Sequence, residues 1–187
     1  RRYPIGIQNF EDLRNNDCVY VDKTDIIYRL THTDKIYFFS RSRRFGKSLL
    51  VSTLEAYFQG KKHLFEGLAM ERLETEWAEY PVLHMDFSRR KYTDEDKLSE
   101  LLNIQISHWE QLYGSDEKEC SFSGRFEGVI RRAYEKTGKQ VVVLVDEYDS
   151  PLLDTNSDSA LQQKLRTTTL TATARRHVII GTAGCRK

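Results

Sequence analysis

Two short stretches of this chain hold residue types suited to phosphate chemistry. The first is Arg41-Ser-Arg-Arg-Phe-Gly-Lys-Ser48, directly after the apolar run Ile36-Tyr-Phe-Phe39. A strand that turns tightly through Gly-Lys-Ser and opens into a helix aims backbone N–H groups and the positive end of the helix dipole at an anion. In that geometry Lys47 reaches the β- and γ-phosphates of a nucleotide, and the Ser48 hydroxyl binds Mg²⁺. Arg43, Arg44, Phe45, Gly46 and Leu49 complete the candidate nucleotide-binding set. The common pattern G-x-x-x-x-G-K-[ST] has Gly at its first position, where this chain has Arg41.

The second stretch is Val141-Val-Val-Leu-Val145 followed by Asp146-Glu147. Five aliphatic residues in a row predict a strand buried on both faces, as in a parallel sheet. Carboxylates at its C-terminal end lie where open α/β sheets bind ligands. Asp146 there would hold the Mg²⁺ shell and Glu147 would polarise the attacking water. Glu147 and Lys47 are then the catalytic pair, because phosphoryl transfer needs mainly positioning and charge compensation. An apolar strand capped by a solvated acidic turn explains this stretch alone equally well. Taken together and in this order, the two read as Walker A and Walker B motifs, with ATP and Mg²⁺ as cofactors.

These loops need strands and helices to hold them. Phe10 to Leu13 suit a helical turn and Tyr20-Val21 a short extended piece. Asp22 or Thr24 can cap a helix to about Leu30, with Ile26, Ile27 and Leu30 inward. Lys47 to Phe58 has an apolar stripe at Leu50, Leu54, Tyr57 and Phe58, and Gly60 is a plausible stop. Val82 to Met85 is a second strand, ending at Asp86. An amphipathic helix runs from Asp94 to about Tyr113, with Leu98, Leu101, Leu102, Trp109 and Leu112 inward. A polar surface loop over 114–120 leads to a helix marked by Phe122, Phe126, Val129, Ile130 and Ala133. The strand Val141 to Val145 follows, and His177 to Ile180 reads as the last one.

This alternation predicts an α/β fold with a mostly parallel sheet and helices on both faces. With the two motifs it reads as a P-loop NTPase three-layer sandwich, and the family resemblance described below implies that it is broken off before the last core strand. One domain over 1–187 is expected, with 1–34 an N-terminal flank and 35–187 an incomplete core. P-loop ATPases with a catalytic Glu insert a strand between the two motif strands. On that layout His177 to Ile180 lies centrally, the Val82 strand goes to the edge, and Thr182 becomes a candidate sensor of the γ-phosphate. A plain strand-end hydrogen bonder is the alternative for Thr182.

Charge is balanced at 29 basic and 28 acidic residues, so no global field advertises nucleic acid or an anionic membrane. No basic stripe with interleaved aromatics appears. No apolar run approaches the roughly 20 residues a membrane span needs, and no signal-peptide pattern opens the chain. The three cysteines, Cys18, Cys120 and Cys185, are isolated and read as reduced thiols of a cytoplasmic protein. The missing initiating Met and the end at Lys187 read as a piece of something longer. Several other residues have a bland reading beside a functional one. Arg43 and Arg44 are phosphate or nucleic-acid contacts, or solvated charges. Asp86 assists the metal shell or caps a turn. Asp22-Lys-Thr24 borders an adenine pocket or caps a helix. His84 and His177 read as packed or surface histidines, and Asp149, Asp154 and Asp158 as solvated.

Ile5-Gly-Ile-Gln-Asn-Phe10, Tyr20-Val-Asp-Lys-Thr24 and Phe39-Ser-Arg-Ser-Arg-Arg-Phe-Gly-Lys-Ser48 resemble the bacterial AAA-ATPase-like family. So do Ala56-Tyr-Phe58, Pro81-Val-Leu-His-Met-Asp-Phe-Ser88 and Val142-Val-Leu-Val-Asp-Glu-Tyr-Asp-Ser-Pro-Leu-Leu-Asp154, extending the likeness over about residues 3 to 154. The family's loop resembles S-R-P-R-R-F-G-K-S, which accounts for Arg41; Ser42 replaces its usual Pro. The resemblance implies Lys47 and Ser48 as phosphate and Mg²⁺ ligands, and Asp146 and Glu147 as the metal-side and catalytic carboxylates. It also implies an ATPase that drives or gates a partner, often a C-terminal PD-(D/E)XK nuclease-like domain. A nucleotide switch without significant hydrolysis, or the motor of a nuclease-linked DNA-processing or defence protein, are the alternatives. Thr167-Thr-Thr-Leu-Thr-Ala-Thr-Ala174, with five Thr in eight residues, departs from the family and is poor helix composition.

Overall fold

The computed structural model describes residues 2–33, 36–42, 45–87, 95–146 and 177–185. Their elements run α1 (Phe10–Asn15), α2 (Thr24–Thr31), β1 (Ile36–Ser42), α3 (Lys47–Phe58), α4 (Ala69–Leu73), β2 (Val82–Asp86), α5 (Glu95–Tyr113), α6 (Phe122–Thr137), β3 (Val141–Asp146) and β4 (His177–Cys185). A short 3-10 turn at Lys62–Phe65 precedes α4. The four strands form one parallel sheet in the order β1-β4-β3-β2. Thus β2 takes an edge and β4 lies between the strands that lead into the two motif loops, as expected. Parallel pairing brings all four C-terminal ends to one edge of the sheet.

Every residue of β3 is buried, and its side chains feed two separate cores. Val141, Val143 and Val145 join Leu83 and Met85 of β2 against α5 and α6, where Ile106, Trp109, Phe126 and Val129 fill the layer. Val142 and Leu144 point the other way, toward Val51, Leu54 and Phe58 of α3, with Phe10, Ile27 and Met70 from α1, α2 and α4 behind them. Helices therefore cover both faces, and the N-terminal flank belongs to the same core as α3. Each fully buried Phe or Leu contributes on the order of 2–3 kcal/mol by removal from water. Among the described residues no helix is long and apolar enough to cross a membrane, and Cys18 and Cys120 are free thiols.

Local chemistry sets the ends of these elements. The Ser121 hydroxyl accepts from the Gly124 N–H at 3.1 Å to start α6, and Gly138 at φ 67° ends it. Asn9 caps α1 through the Asp12 N–H at 3.1 Å. Two inward assignments fail. Ile26 is 52% exposed and Leu112 49% exposed. On α2 the buried arc is centred on Thr24 and Ile27, so Ile26 falls to its flank. On α5 the buried stripe continues through Ile106 and Trp109 to Tyr113, which turns Leu112 away. Tyr20-Val21 forms no strand; the nearest pairing is a single parallel bridge between Arg2 and Cys18. β1 stays extended through Arg41 and Ser42, beyond the apolar run that predicted it, because β4 pairs with it along its whole length.

Candidate functional site

The start of α3 is built to leave backbone donors open. Gly46 occupies its N-cap with φ 72° and ψ 28°, a left-handed conformation that disfavours any residue with a Cβ. Its carbonyl accepts the first helical bond, from Leu50 N–H at 2.9 Å. No side chain caps this helix and no acidic residue lies in its first turn. The first-turn amides and the dipole are thus left for an external anion. Lys47 is 4% exposed, an unusual place for an ammonium group. Ser48 and Leu49 are half-buried behind it, and Phe45 projects into solvent at 67% exposure.

Asp146 ends β3 and is 3% exposed. In the alternation of that strand it shares the α3 side with Val142 and Leu144. Val145 pairs with Gly181 of β4, so Asp146 stands level with Thr182, which in turn pairs with Phe39 of β1. Two interstrand spacings of about 4.8 Å separate the strands that carry the two motifs. Lys47 and Asp146 therefore sit on the same sheet edge and the same face. Thr182 lies between them in the backbone register. Arg43, Arg44 and Glu147 lie outside the described residues.

Beside Asp146 the edge strand adds a polar row. The alternation of Val82-Leu-His-Met-Asp86 puts His84 and Asp86 on the α3 side, and Asp86 pairs in register with Asp146. His84 Nδ1 lies 3.0 Å from Glu55 Oε2 of α3. Burial opposes protonation of His84. The hydrogen bond and charge of Glu55, with help from Asp86 and Asp146, nevertheless hold its pKa above the ordinary 6.5. Glu55 lies seven residues after Ser48, on the same helix face. From the sequence His84 reads as a packed or surface histidine, and Glu55 has no assigned role.

A largely apolar cavity of about 350 Å³ adjoins Gly46. Val21, Ile26, Ile27 and Leu30 line it on the α2 side, and Leu49 and Leu50 on the α3 side. Asp22 and Thr24, candidates for bordering a base pocket, are engaged elsewhere. Asp22 accepts from the Thr24 N–H at 2.9 Å, the Thr24 hydroxyl at 2.7 Å and the Ala69 N–H at 2.7 Å. The Thr24 hydroxyl also accepts from Met70 N–H at 3.0 Å. These two side chains tie α2 to α4, and Lys23 between them reaches the cavity instead.

A protein of Azotobacter chroococcum mcd 1 described as "Uncharacterized protein in vnfD 5'region" is 39% identical over 172 residues, covering 89% of this chain and 32% of that relative. The chain thus spans about a third of that relative's length. The family model described as "Predicted AAA-ATPase" matches residues 4–175. By that match, which takes in both motif stretches, the chain belongs to the AAA-ATPase-like family.

Proposed function

We propose that this domain binds a Mg²⁺–nucleoside triphosphate, ATP in the first instance, across the strand tips and hydrolyses it slowly to drive or gate a partner domain. The observation that carries the reading is the meeting of an uncapped, glycine-started helix with a buried aspartate at one edge of a parallel sheet. Family membership supports nucleotide binding, and the three layers fit a P-loop NTPase sandwich. In this reading the first-turn amides of α3, with Arg43, Arg44 and the Gly46 turn, cradle the phosphates. Lys47 compensates charge on the β- and γ-phosphates, and Thr182 senses the γ-phosphate. Glu147, next after Asp146 in the chain, orients the attacking water.

The Ser48 hydroxyl and the Asp146 carboxylate are hard oxygen donors that suit Mg²⁺. Among the described residues no three of His, Cys, Asp and Glu cluster into a metal cage. Mg²⁺ commonly completes its shell with substrate phosphate oxygens and water. Bound there, it would neutralise charge on the β- and γ-oxygens. The partner is read from the resemblance alone, as a PD-(D/E)XK nuclease-like domain, with the remaining alternative of a pure nucleotide switch.

Titrating labelled ATP while measuring phosphate release on the same sample tests the reading. Lys47→Ala should weaken ATP binding by about 100-fold or more, while Glu147→Gln keeps binding and loses about 100-fold in turnover. Binding without release would favour the switch. Wild-type affinity in Lys47→Ala would end the assignment.

A further inference from the structure

Beside the proposed metal donors stands a pair of side chains that packing does not explain. On the α3 side of β2 and β3 the neighbouring positions are core, among them Leu54, Phe58, Val142 and Leu144. Into this layer α3 sends Glu55 and β2 sends His84, joined at 3.0 Å between Nδ1 and Oε2. Their side chains keep only 28% and 25% exposure. A charged hydrogen bond there must offset lost hydration of both groups, so it contributes little net stability. Two apolar side chains would extend the core at least as well.

The position of the pair says more than its strength. His84 pairs in register with Leu144, and two residues further on Asp86 pairs with Asp146. Strand rise and spacing put His84 about 8 Å from Asp146 on the diagonal, a span that one water can bridge between two side chains. Asp86 and Asp146 both act electrostatically on the imidazole. Glu55 stands two turns after Ser48 on the same face of α3. One helix thus carries a proposed Mg²⁺ donor and the residue that grips His84. The other ring nitrogen, Nε2, is buried and meets no hydrogen-bond partner among the described residues. Water normally satisfies a buried polar atom of this kind. In either protonation state Nε2 can hold one, as donor when charged and as acceptor when neutral.

We infer that His84, fixed by Glu55, is a positioning residue of the metal side, its Nε2 holding a water that keeps the outer shell of Mg²⁺ and the Asp146 carboxylate in place. This rests on the nucleotide reading above. Such an outer-shell partner orients a ligand without touching the ion, and its loss typically weakens a metal site by about 10–100-fold. No change of protonation is involved.

The test measures ATP affinity of the full chain across a Mg²⁺ titration and again in excess EDTA, with a urea midpoint for every variant. His84→Ala should raise the Mg²⁺ concentration for half-maximal effect about tenfold, and leave affinity in EDTA within about twofold of wild type. Glu55→Ala should shift it the same way by about threefold to tenfold, and carries the test from the helix side if His84→Ala does not fold. The double variant should be no worse than the larger single effect, because the two residues act as one unit. His84→Gln, which keeps a polar N–H, should bring the Mg²⁺ response back to within about threefold of wild type. A wild-type Mg²⁺ response in both alanine variants, with lowered urea midpoints, would make the pair a mere tie between β2 and α3 and overturn the inference. So would an equal loss of ATP affinity with and without Mg²⁺. Both outcomes leave the nucleotide reading intact. If wild type binds no ATP at any Mg²⁺ concentration, the nucleotide reading itself falls and the inference with it.

Discussion

The two faces of the sheet are made from the same strands and yet differ in kind. Toward α5 and α6, β2 and β3 present Leu83, Met85, Val141, Val143 and Val145, all apolar, against an apolar helix pair. Toward α3 the same strands present Val82, Val142 and Leu144, and then His84, Asp86 and Asp146 as they approach the C-terminal edge. The apolar face is anchored to bury surface. The other begins as core and ends in charge, and the change occurs where an uncapped helix starts. A parallel sheet makes this possible because alternation separates the faces and common direction gathers the strand tips. Selection for packing and selection for chemistry can then act on neighbouring residues of one strand.

The largest effect should come from breaking the apolar face. Phe126 is 2% exposed and lies between Trp109, at 5.9 Å centroid separation, and Phe122, at 6.1 Å. Phe126→Ala should destabilise the fold by about 3–5 kcal/mol, by lost transfer energy plus the cavity left behind. Urea unfolding measures this. ATP affinity of the fraction that remains folded should be unchanged, since nothing on that face meets the site. A variant that lost affinity in its folded fraction would show that the two faces are not independent.

Asp146→Asn acts on the opposite face, and its expected signature is reversed. Under the proposed reading it removes a carboxylate beside Mg²⁺, so Mg²⁺-dependent ATP affinity should fall about tenfold, or about 1.4 kcal/mol. Nucleotide binding in excess EDTA should match wild type. An identical Mg²⁺ response in both proteins would remove Asp146 from the metal shell and leave it a buried polar group of the strand end.

How much of this was legible beforehand follows from the range of each interaction. The bounds of α3 and the burial of β3 were readable because Gly46, the Lys47–Phe58 stripe and the Val141–Val145 run are local signals. The strand order was readable only through the likeness to P-loop ATPases. The link between Glu55 and His84 joins residues 29 apart on different elements, and neither has a local reason to be singled out. The cavity draws on three separate segments, so no single window contains it. Asp22 and Thr24 were suspected of capping α2, but its N-cap is Lys23 with no side-chain cap bond, and the bonds of Asp22 and Thr24 to Ala69 and Met70 are tertiary. Ile26 and Leu112 show the limit of periodicity: it finds a stripe but not the width of the surface that covers it.

The smallest effect concerns the link between the faces' common edge and α3. His84 donates from Nδ1 to Glu55, and its side chain retains 25% exposure. Its pKa is raised in the folded state, so the native protein binds this proton more tightly than the unfolded chain does. The stabilisation is therefore fully present below about pH 6.5 and is lost as pH rises through the folded value. The groups that act on the ring are Glu55 from α3, Asp86 from its own strand and Asp146 from β3, all carboxylates of the same sign. His84→Gln keeps an N–H donor near Glu55 but removes the titration. Wild-type stability should decline from about pH 6 to pH 9 relative to the variant, by no more than about 1.5 kcal/mol for a partly exposed charged hydrogen bond. Urea midpoints of both proteins across that range give the difference directly, with other titrating groups cancelling. If the two curves run parallel, the imidazole binds its proton no more tightly in the folded protein than in the unfolded chain. The polar row would then begin at Asp86 rather than at His84.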